Sequence, residues 1–421
     1  MKITTKDFFR IIRDYARPWL TGSRGTSSAF YNSIPEIYPV LTSRSENERV
    51  RFNILLPTAK PEKIYGGVAT ALKIASQMIS GLPPDCDIRV IITSDSVGRE
   101  SVTEISKRLG KTFIINKPNE DVTGFSVTDL YEWKFVPMSI RENDIYFTTA
   151  WWTANLGFRL QDSQKLMFGN SYDLVYLIQD FEPGFYAWSN HYALSEATYR
   201  KGQKTLALIN SEELFNFMAA KYKFKNLFVI PYTINEDIAD AIKVCPKEKI
   251  LLVYGRPTVA RNCFETIVEA LRLWQLSAPS INTKYEIKFV GEYFSDTLIA
   301  ELENALVLGK LPLSEYADLL SRAAIGVSLM VSPHPSYPPL EMSFAGCITI
   351  TNCYENKNLS LNNDNILSIE ELSPERLALE LERATLRFES ASRAIAKPVK
   401  GSSALSPNYH EICQKILASA S

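Results

Sequence analysis

The chain has 421 residues, which at roughly 150 residues per domain predicts two or three domains. It carries 46 Lys and Arg against 47 Asp and Glu, a formal net charge of −1 that argues against nucleic acid as the main partner. Hydrophobic residues make up 46% and charged residues 22%, as in folded globular proteins and unlike disordered chains. Six scattered cysteines without a CxxC pair disfavour structural zinc and indicate reduced thiols in a cytoplasmic protein.

The first 45 residues are predicted to form a helical extension outside the two main domains. The helix would have an apolar face and a basic face, formed by Phe8, Ile11, Ile12 and Tyr15 and by Lys6, Arg10, Arg13 and Arg17, respectively. Such a helix can lie on anionic lipid at the inner face of a membrane, or it can cap the first domain, and both interpretations stay open. Its charges argue against a secretory signal, and no stretch of about 18 apolar residues predicts a membrane span.

From residue 52 onward, short apolar runs alternate with helical patterns. The predicted strands are 52–56, 88–93, 112–115, 145–150, 175–179, 206–210 and 227–231, then 250–254, 285–290, 325–331, 348–351 and 366–369. The predicted helices are 68–79, 198–202, 212–222, 263–276, 295–305, 314–323 and 374–388. Continuous rather than alternating hydrophobicity is typical of parallel strands covered on both faces, so we expect α/β folding.

The alternation of strands and helices is interrupted once, in the polar segment 232–249. This interruption predicts two α/β units in tandem. We place the units at 46–235 and 236–400. Residues 401–421 hold a Ser-rich link and then an amphipathic helix from about residue 407. In such sheets ligands bind beyond the carboxyl ends of the strands, which directs attention to the loops there.

Two loops of the first unit carry candidate binding residues. Gly66 and Gly67 precede a helix start, where free backbone N–H groups attract an anion, although a flexible glycine turn is the better explanation of the pair taken alone. The segment QDFEPGFYAWS follows a central strand and places carboxylates and an amide among aromatic rings, namely Gln179, Asp180, Glu182, Tyr186 and Trp188. Such a set suits a sugar, whose hydroxyls need acceptors and whose faces stack on rings. The alternative is an exposed loop with a buried aromatic plug.

The second unit offers cations in equivalent loops. Arg256 and Arg261 flank a loop that opens a helix, and their guanidinium forks match the oxygens of a diphosphate. Lys310 follows a later strand region and would add a third positive charge if it faces the same crevice. The alternative for the arginines is a solvated surface pair. The fingerprints GxGxxG and GxxxxGK[ST] are both absent, so neither a dehydrogenase nor a P-loop NTPase is supported.

A third candidate segment of the second unit is SPHPSYPPLEMSFAG. Its prolines restrict the loop, and a helix is predicted to begin at about residue 339. Glu341 would lie in the first turn of that helix, where its carboxylate could hold the two hydroxyls of a ribose. The alternative is a carboxylate that only complements the helix dipole.

The ordered set of a GG loop, GR-x4-R, GK and LE-x-x-x-A-G resembles the retaining glycosyltransferases of family 4, which have the GT-B architecture. QDFEPGFYAWS, YGRPTVARN, SPHPSYPPLEMSFAG and CYENKNLS are more similar to the WsaF-like rhamnosyltransferases of S-layer glycan assembly. The resemblance runs from about residue 50 to about residue 372 and implies two Rossmann-like domains that face each other across a cleft. The first would bind the acceptor and the second the nucleotide-sugar donor, with the last helix packing back on the first domain.

The resemblance also implies roles for individual residues. Arg256 and Arg261 match the family's basic pair on the donor diphosphate, and Asp180 is expected to take part in catalysis. Donor contacts are implied at Gly66, Gly67, Lys310, Tyr337 and Glu341, and we expect acceptor contacts at Gln179, Glu182, Tyr186 and Trp188. Pro333 stands where the family has the first Glu of its E-x7-E motif, and the usual histidine after the central strand is replaced by Gln179-Asp180.

The expected function is therefore transfer of a sugar from a nucleotide sugar to a cell-surface polysaccharide. The resemblance favours L-rhamnose from dTDP-L-rhamnose and retention of configuration, without metal or other cofactor. The expected partners are the donor and a glycan or lipid-linked glycan acceptor, with no nucleic acid. Two alternatives stay open. A nucleotide-sugar 2-epimerase would act on the donor alone, and a non-catalytic glycan-binding protein of the same fold would bind no nucleotide.

Overall fold

Parallel strands dominate the computed structural model, which describes residues 40–64, 66–133, 135–390 and 407–420. Within those residues the strands are β1 (Thr42–Arg44), β2 (Arg51–Leu56), β3 (Asp87–Ile92), β4 (Ile114–Asn116), β5 (Phe125–Asp129), β6 (Met138–Ile140), β7 (Asp144–Thr148), β8 (Leu174–Ile178), β9 (Thr205–Asn210), β10 (Asn226–Ile230), β11 (Glu248–Gly255), β12 (Glu286–Gly291), β13 (Ala305–Gly309), β14 (Ala323–Val327), β15 (Ile348–Asn352) and β16 (Ile366–Ile369). The predicted basic helix within residues 1–25 and the Ser-rich link lie outside the described residues.

The strands form two large open sheets, one in each half of the chain. The first has the order β10-β9-β8-β7-β2-β3-β5-β4 and the second the order β13-β12-β11-β14-β15-β16. Every ladder in both sheets is parallel, and β1 and β6 form a separate parallel pair. The central strands are buried along their whole length, which explains their continuous apolar runs. The predicted α/β class with two Rossmann-like domains is confirmed.

Helices connect the strands and cover both faces of the sheets. They are α1 (Gly66–Ile79), α2 (Arg99–Leu109), α3 (Trp151–Phe168), α4 (Asn190–Tyr199), α5 (Glu212–Lys221), α6 (Glu236–Ala241), α7 (Phe264–Ser277), α8 (Pro279–Asn282), α9 (Leu313–Arg322), α10 (Tyr337–Phe344), α11 (Pro374–Ser390) and α12 (Tyr409–Leu417). Ile238 of α6 packs into the core of the second domain. The predicted domain boundaries themselves stay predictions.

Several sequence predictions of local structure are wrong. The helix predicted at 295–305 is a single 3-10 turn, Asp296–Ile299, followed by the strand β13. Asn304, directly before β13, adopts a left-handed backbone (φ 52°), a conformation that a right-handed helix does not contain. The strand predicted at 325–331 stops at Val327, because the side chain of Asn352 occupies the backbone N–H and C=O of Met330. The chain beyond β14 is therefore free to enter the cleft.

The long helix α3 was missed because its buried face is partly polar. Gln164 is fully buried, and its side-chain amide donates to the carbonyls of Glu142 and Asp144 at 2.8 and 2.9 Å. Gln161 is buried in the same way and donates to the carbonyl of Tyr172. These polar positions interrupt the 3.6-residue apolar pattern on which helix prediction depends.

The last helix packs on the first domain. Cys413 of α12 is buried, and its Sγ lies 3.3 Å from the carbonyl oxygen of Met78 in α1. Ile412 and Ile416 join the apolar cluster between α1 and the sheet. A side chain at Gly81 would come within 3.2 Å of the backbone of α12, so glycine permits this close approach. The chain therefore returns from the second domain to the first.

A buried charge network holds the amino ends of the first sheet. Arg51 donates to both oxygens of Asp144 at 2.7 and 2.8 Å, where β2 and β7 begin. Arg141 donates to Asp87 at 2.6 Å and also pairs with Asp121. These residues are at the opposite end of the strands from the ligand-binding edge, so we assign them to stability.

Candidate active site

Loops from both domains meet at the carboxyl ends of the two sheets. The loop after β8 begins at Gln179, the loop after β11 carries Arg256 and Arg261, and β14 runs into residues 328–336. Hydrogen bonds join these loops from one domain to the other. The structure therefore brings most of the predicted site residues to one interface, at the edge where open α/β sheets bind ligands.

Asp180 is the centre of that interface. One carboxylate oxygen accepts a hydrogen bond from Nη1 of Arg261 at 2.6 Å, and the other accepts one from the hydroxyl of Ser332. The same second oxygen also accepts from the backbone N–H of Phe181. The Arg261 guanidinium lies 4.2 Å above the ring of Phe185, a cation–π arrangement. First-domain residues thus hold the second-domain arginine on two sides.

These contacts set the charge of Asp180. Burial alone would raise the pKa of its carboxyl, but the positive charge of Arg261 and the bond from Ser332 outweigh burial and lower the pKa below its ordinary value. Asp180 is therefore ionised at neutral pH and forms the anionic half of a pair that spans the cleft.

Arg256 lies nearby but has a different carboxylate partner. Its Nε is 4.0 Å from Glu292, and its side chain is 41% exposed. The side chain also packs against Gly291 at the carboxyl end of β12, where an added Cβ would come within 3.3 Å of it. Tyr254 is also hydrogen-bonded to the Arg256 side chain. The exposed part of Arg256 leaves it accessible to an incoming anion.

Lys310 is exposed and follows β13 on the same sheet edge. One strand, β12, separates β13 from β11, the strand that leads to Arg256. Two strand spacings correspond to roughly 10 Å. The long side chain of Lys310 can thus approach the same ligand as Arg256 from the side.

Tyr337 connects the domains a second time. Its hydroxyl oxygen accepts a hydrogen bond from Nδ2 of Asn210 at 2.6 Å, at the end of β9. Its ring lies 5.2 Å from that of Tyr232, centroid to centroid. Helix α10 begins at Tyr337, two residues before the predicted start, after Ser336 with a left-handed backbone (φ 67°).

Glu341 consequently lies in the second turn of α10 and not in the first, as the sequence had predicted. Its Oε2 accepts a hydrogen bond from the hydroxyl of Tyr316 at 3.1 Å. Burial raises the pKa of Glu341 to about 7, although the bond from Tyr316 acts in the opposite direction. A carboxylate that is partly exposed and titrates near neutral pH is well suited to exchange water for ligand hydroxyls.

The two glycines sit at the first turn of α1. Gly66 has a left-handed backbone (φ 50°), which glycine adopts without strain. A Cβ at Gly67 would lie 3.2 Å from the side-chain amide of Gln179, so a larger residue would require Gln179 to move by a few tenths of an ångström. This contact places the predicted donor loop directly beside the predicted acceptor residue Gln179.

Glu182 does not fit the predicted acceptor role. It is only 6% exposed, and its Oε2 accepts hydrogen bonds from the backbone N–H of Trp151 and the hydroxyl of Tyr176, at 2.6 and 3.3 Å. Burial raises the pKa of Glu182 to about 8. The carboxyl group therefore satisfies the amino end of α3, as a helix cap does, and has little surface for a ligand.

The predicted aromatic residues divide into two groups. The hydroxyl of Tyr186 accepts from Nε1 of Trp151 at 2.9 Å, and its ring stacks on His191, so it supports the loop. Trp188 is 92% exposed and lies parallel to Tyr192, with 5.5 Å between ring centroids and 5° between planes. The stacked pair of Trp188 and Tyr192 is a flat aromatic surface open to solvent.

Sequence analysis missed two buried groups at this interface. Lys357 is fully buried, and its Nζ donates to the carbonyl of Met330 at 2.6 Å. His334 is 8% exposed, and its Nδ1 accepts from the backbone N–H of Ser336 at 3.0 Å. The two residues belong to the segments SPHPS and CYENKNLS, which resemble the WsaF-like sequences. The letters of these segments do not indicate burial, which depends on the packing of the folded chain.

Comparison with known proteins identifies the family. Residues 51–212 match the WsaF N-terminal domain and residues 249–382 match the WsaF C-terminal domain. Part of the chain is 27% identical, over 184 residues, to the O-antigen biosynthesis protein RfbC of Myxococcus xanthus. That match takes in 42% of this chain but only 14% of RfbC.

Solved structures agree on the fold. HepE of Anabaena, in complex with UDP-glucose, superimposes with a TM-score of 0.52 at 12% identity, over 87% of this chain and 95% of that one. Sucrose-phosphate synthase of Thermosynechococcus elongatus gives a TM-score of 0.50 at 11% identity, with the same coverage. Among the residues that the structure describes, no helix is long and apolar enough to cross a bilayer. Both WsaF domains match in order over more than half of the sequence, and the chain belongs to the WsaF family of GT-B glycosyltransferases.

Proposed function

We propose that the protein transfers L-rhamnose from dTDP-L-rhamnose to a cell-surface polysaccharide, with retention of configuration at the anomeric carbon. The observation that carries this proposal is the contact of Asp180 with Arg261 of the second domain, at the carboxyl edges of the two sheets. Such an edge can hold a charged nucleotide on one side and a neutral glycan on the other.

The donor would bind to the second domain through its diphosphate. Arg256 and Arg261 present planar guanidinium groups that suit phosphate oxygens, and Lys310 adds a point charge. The backbone N–H groups at Gly66 and Gly67 would approach the diphosphate from the other domain, at the amino end of α1. Glu341 and Tyr337 of α10 are the proposed contacts for the nucleoside sugar.

The chemical step requires stabilisation of the leaving group. The bond between the anomeric carbon and the diphosphate oxygen breaks while the acceptor hydroxyl attacks from the same face. The acceptor proton passes to the departing phosphate oxygen. Arg256, Arg261 and Lys310 stabilise the negative charge that develops there, so the proposed mechanism uses no metal or other cofactor.

The environment of Asp180 favours a role in positioning the substrate over a role as general base. Its lowered pKa makes it a weak base at neutral pH, and both oxygens already accept hydrogen bonds. A front-face reaction needs no protein base, which is consistent with retention. Asp180 would then orient hydroxyl groups of the sugar or the acceptor.

The proposed acceptor region lies on the first domain. The exposed pair of Trp188 and Tyr192 offers a ring surface on which sugar faces can stack, and Gln179 lies beside the donor loop. The family and the name of RfbC support a role in surface polysaccharide synthesis. We further propose a cytoplasmic location, with peripheral membrane contact through the basic segment of residues 1–25.

Calorimetric titration with dTDP, UDP and GDP, followed by dTDP-L-rhamnose, tests the proposal. Binding of dTDP that is lost in Arg256→Ala would support the donor site and its base. Binding of UDP or GDP instead would keep a glycosyltransferase and discard dTDP-L-rhamnose. Absence of any nucleotide binding would favour a glycan-binding protein, and isomerisation of the donor without acceptor would favour an epimerase.

A further inference from the structure

His334 has a buried hydrogen-bond donor that no described residue accepts. The residue is 8% exposed, and its Nε2 has no hydrogen-bond partner among the residues that the structure describes. The ring lies in the cleft loop between β14 and α10, with its centroid 5.4 Å from that of Tyr337. A buried polar group without a partner lowers stability by about 1–3 kcal/mol. We therefore expect an atom of a ligand to form a hydrogen bond with Nε2.

The hydrogen bonds around the ring determine which nitrogen carries the proton. Nδ1 accepts from the backbone N–H of Ser336 at 3.0 Å and therefore holds a lone pair. Burial lowers the pKa of His334 to about 4, even though Asp180 acts in the opposite direction, so the ring is neutral at pH 7. In a neutral imidazole with an unprotonated Nδ1, Nε2 must carry the hydrogen. The unpartnered group is thus an N–H donor.

The surroundings limit what can accept that hydrogen bond. The backbone N–H of His334 donates to Oγ of Ser332, and that hydroxyl donates to Asp180. The ring interacts electrostatically with Asp180 and also with Lys357 and Arg261, so its surroundings carry charges of both signs. A single hydroxyl group suits this place, because its oxygen can accept from Nε2–H while its hydrogen is donated to the Asp180 carboxylate. Sugars present such hydroxyls, whereas a phosphate oxygen offers only acceptors.

We propose that His334 and Asp180 together bind a hydroxyl group of the transferred sugar, with His334 as donor and Asp180 as acceptor. The inference rests on the proposed function, since it assigns the sugar of that donor to these two side chains. The inference adds to the donor site a residue that recognises the sugar and not the nucleotide. A sugar without the hydroxyl would leave the Nε2–H group unpaired and would be discriminated against.

Two substitutions distinguish the contributions of the two ring nitrogens to binding. His334→Asn keeps an acceptor near the position of Nδ1, for the N–H of Ser336, but has nothing at the position of Nε2. His334→Gln places an amide near Nε2 and sacrifices the Nδ1 contact. His410→Asn is the control, because His410 is exposed on α12 and its ring is hydrogen-bonded to Gln414 of the same helix.

Calorimetry with dTDP and with dTDP-L-rhamnose measures the effect. We expect His334→Asn to weaken binding of dTDP-L-rhamnose about tenfold, as for the loss of one hydrogen bond, while binding of dTDP changes less than about twofold. His334→Gln should recover part of the lost affinity. Equal losses for both ligands, or no loss for either, would overturn the inference while the proposed function stands. Wild-type protein that binds no nucleotide would overturn both.

A second measurement determines the tautomer in the wild-type protein itself, and the variants serve only to assign the signals. In wild-type protein with ¹⁵N-labelled histidine, His334 should appear as the Nε2–H tautomer from pH 6 to 8, its signals identified by their absence in either variant. Addition of dTDP-L-rhamnose should shift the Nε2 resonance, and addition of dTDP should not. A protonated Nδ1, or equal shifts with both ligands, would contradict the assignment.

Discussion

The carboxylate of Asp180 and the guanidinium of Arg261 form a 2.6 Å ion pair between the two domains. Both side chains are mostly buried, and Phe185 covers the guanidinium from one side. In the proposed donor complex the same guanidinium binds a diphosphate. Asp180 and the diphosphate therefore compete for Arg261, and the donor must release this contact between the domains before the site is complete.

The competition predicts that Asp180→Asn binds dTDP more tightly than wild type. Removal of an ion pair worth on the order of 1 kcal/mol should lower the Kd about fivefold. Transfer of the sugar should nevertheless become slower, because Asp180 no longer orients its hydroxyl partner. Calorimetry and a transfer assay measure the two effects. The matched control is Asp162→Asn, since Asp162 pairs with Lys204 on an exposed surface. Weaker dTDP binding in Asp180→Asn would contradict the competition.

Arg256 should matter more for the rate than for the fold. Its side chain is 41% exposed and has one distant carboxylate partner, so Arg256→Ala should unfold at the same temperature as wild type. Loss of its charge on the leaving diphosphate should lower kcat by about 10²–10³. Arg272→Ala is the control, because Arg272 makes surface ion pairs with Glu269 of its own helix and, at 3.9 Å, with Glu301. Near-normal turnover in Arg256→Ala would rule out its role on the diphosphate.

Donor affinity should depend on pH through Glu341. With a pKa of about 7, the side chain is largely protonated at pH 6 and ionised at pH 8. The ionised carboxylate accepts a charge-assisted hydrogen bond from the one free hydroxyl of the deoxyribose, which the protonated group accepts more weakly, so the Kd for dTDP should rise as the pH falls from 8 to 6.

Two variants test this pH dependence. Glu341→Gln should bind weakly at every pH in that range. Tyr316→Phe removes the hydrogen bond that lowers the pKa of Glu341, so the transition should move to higher pH. A Glu341→Gln variant with the wild-type pH profile would assign the effect to another group.

Sequence patterns were sufficient for the parts of the molecule that depend on local burial. The central strands are apolar along their length because helices cover both faces, and this pattern predicted the sheets. The basic pair at Arg256 and Arg261 was identifiable because loop, spacing and charge lie in one segment. Helix α3 escaped prediction because Gln161 and Gln164 face inward, where their amides bind backbone carbonyls.

Roles that depend on tertiary packing could not be predicted in this way. Glu182 and Asp180 are two residues apart in one acidic, aromatic segment, yet one caps α3 inside the domain and the other spans the cleft. The importance of His334 depends on its burial and on a backbone N–H that fixes its tautomer. Neither property has a signature in a single sequence.

The charge network at the amino ends of the first sheet predicts a stability effect far from the site. Asp144 is fully buried. Burial alone would raise its pKa, but Arg51 and Arg89 lower it to about 2, below the ordinary value of 3.8. The folded protein thus binds fewer protons here than the unfolded chain, so this stabilisation is present above about pH 4 and declines towards pH 2.

Asp144→Asn should lower the free energy of unfolding of the first domain at pH 7 by about 3–5 kcal/mol, because it leaves buried arginines without their counter-charge. Urea unfolding followed by tryptophan fluorescence measures it, and dTDP binding to the folded protein should not change. Asp162→Asn again serves as the control. An equally stable Asp144→Asn variant would show that the network contributes little.

Trp188 is the sharpest test of the proposed acceptor surface. At 92% exposure it contributes little to the core, so Trp188→Ala should keep the unfolding temperature of wild type. If sugar rings stack on Trp188 and Tyr192, the variant should raise the KM for the glycan acceptor about three- to tenfold, since ring contacts are worth about 0.5–1.5 kcal/mol. The Kd for dTDP-L-rhamnose should not change. Leu166→Ala is the matched control, as Leu166 is 88% exposed on α3. An unchanged acceptor KM in Trp188→Ala would move the acceptor to another surface of the first domain.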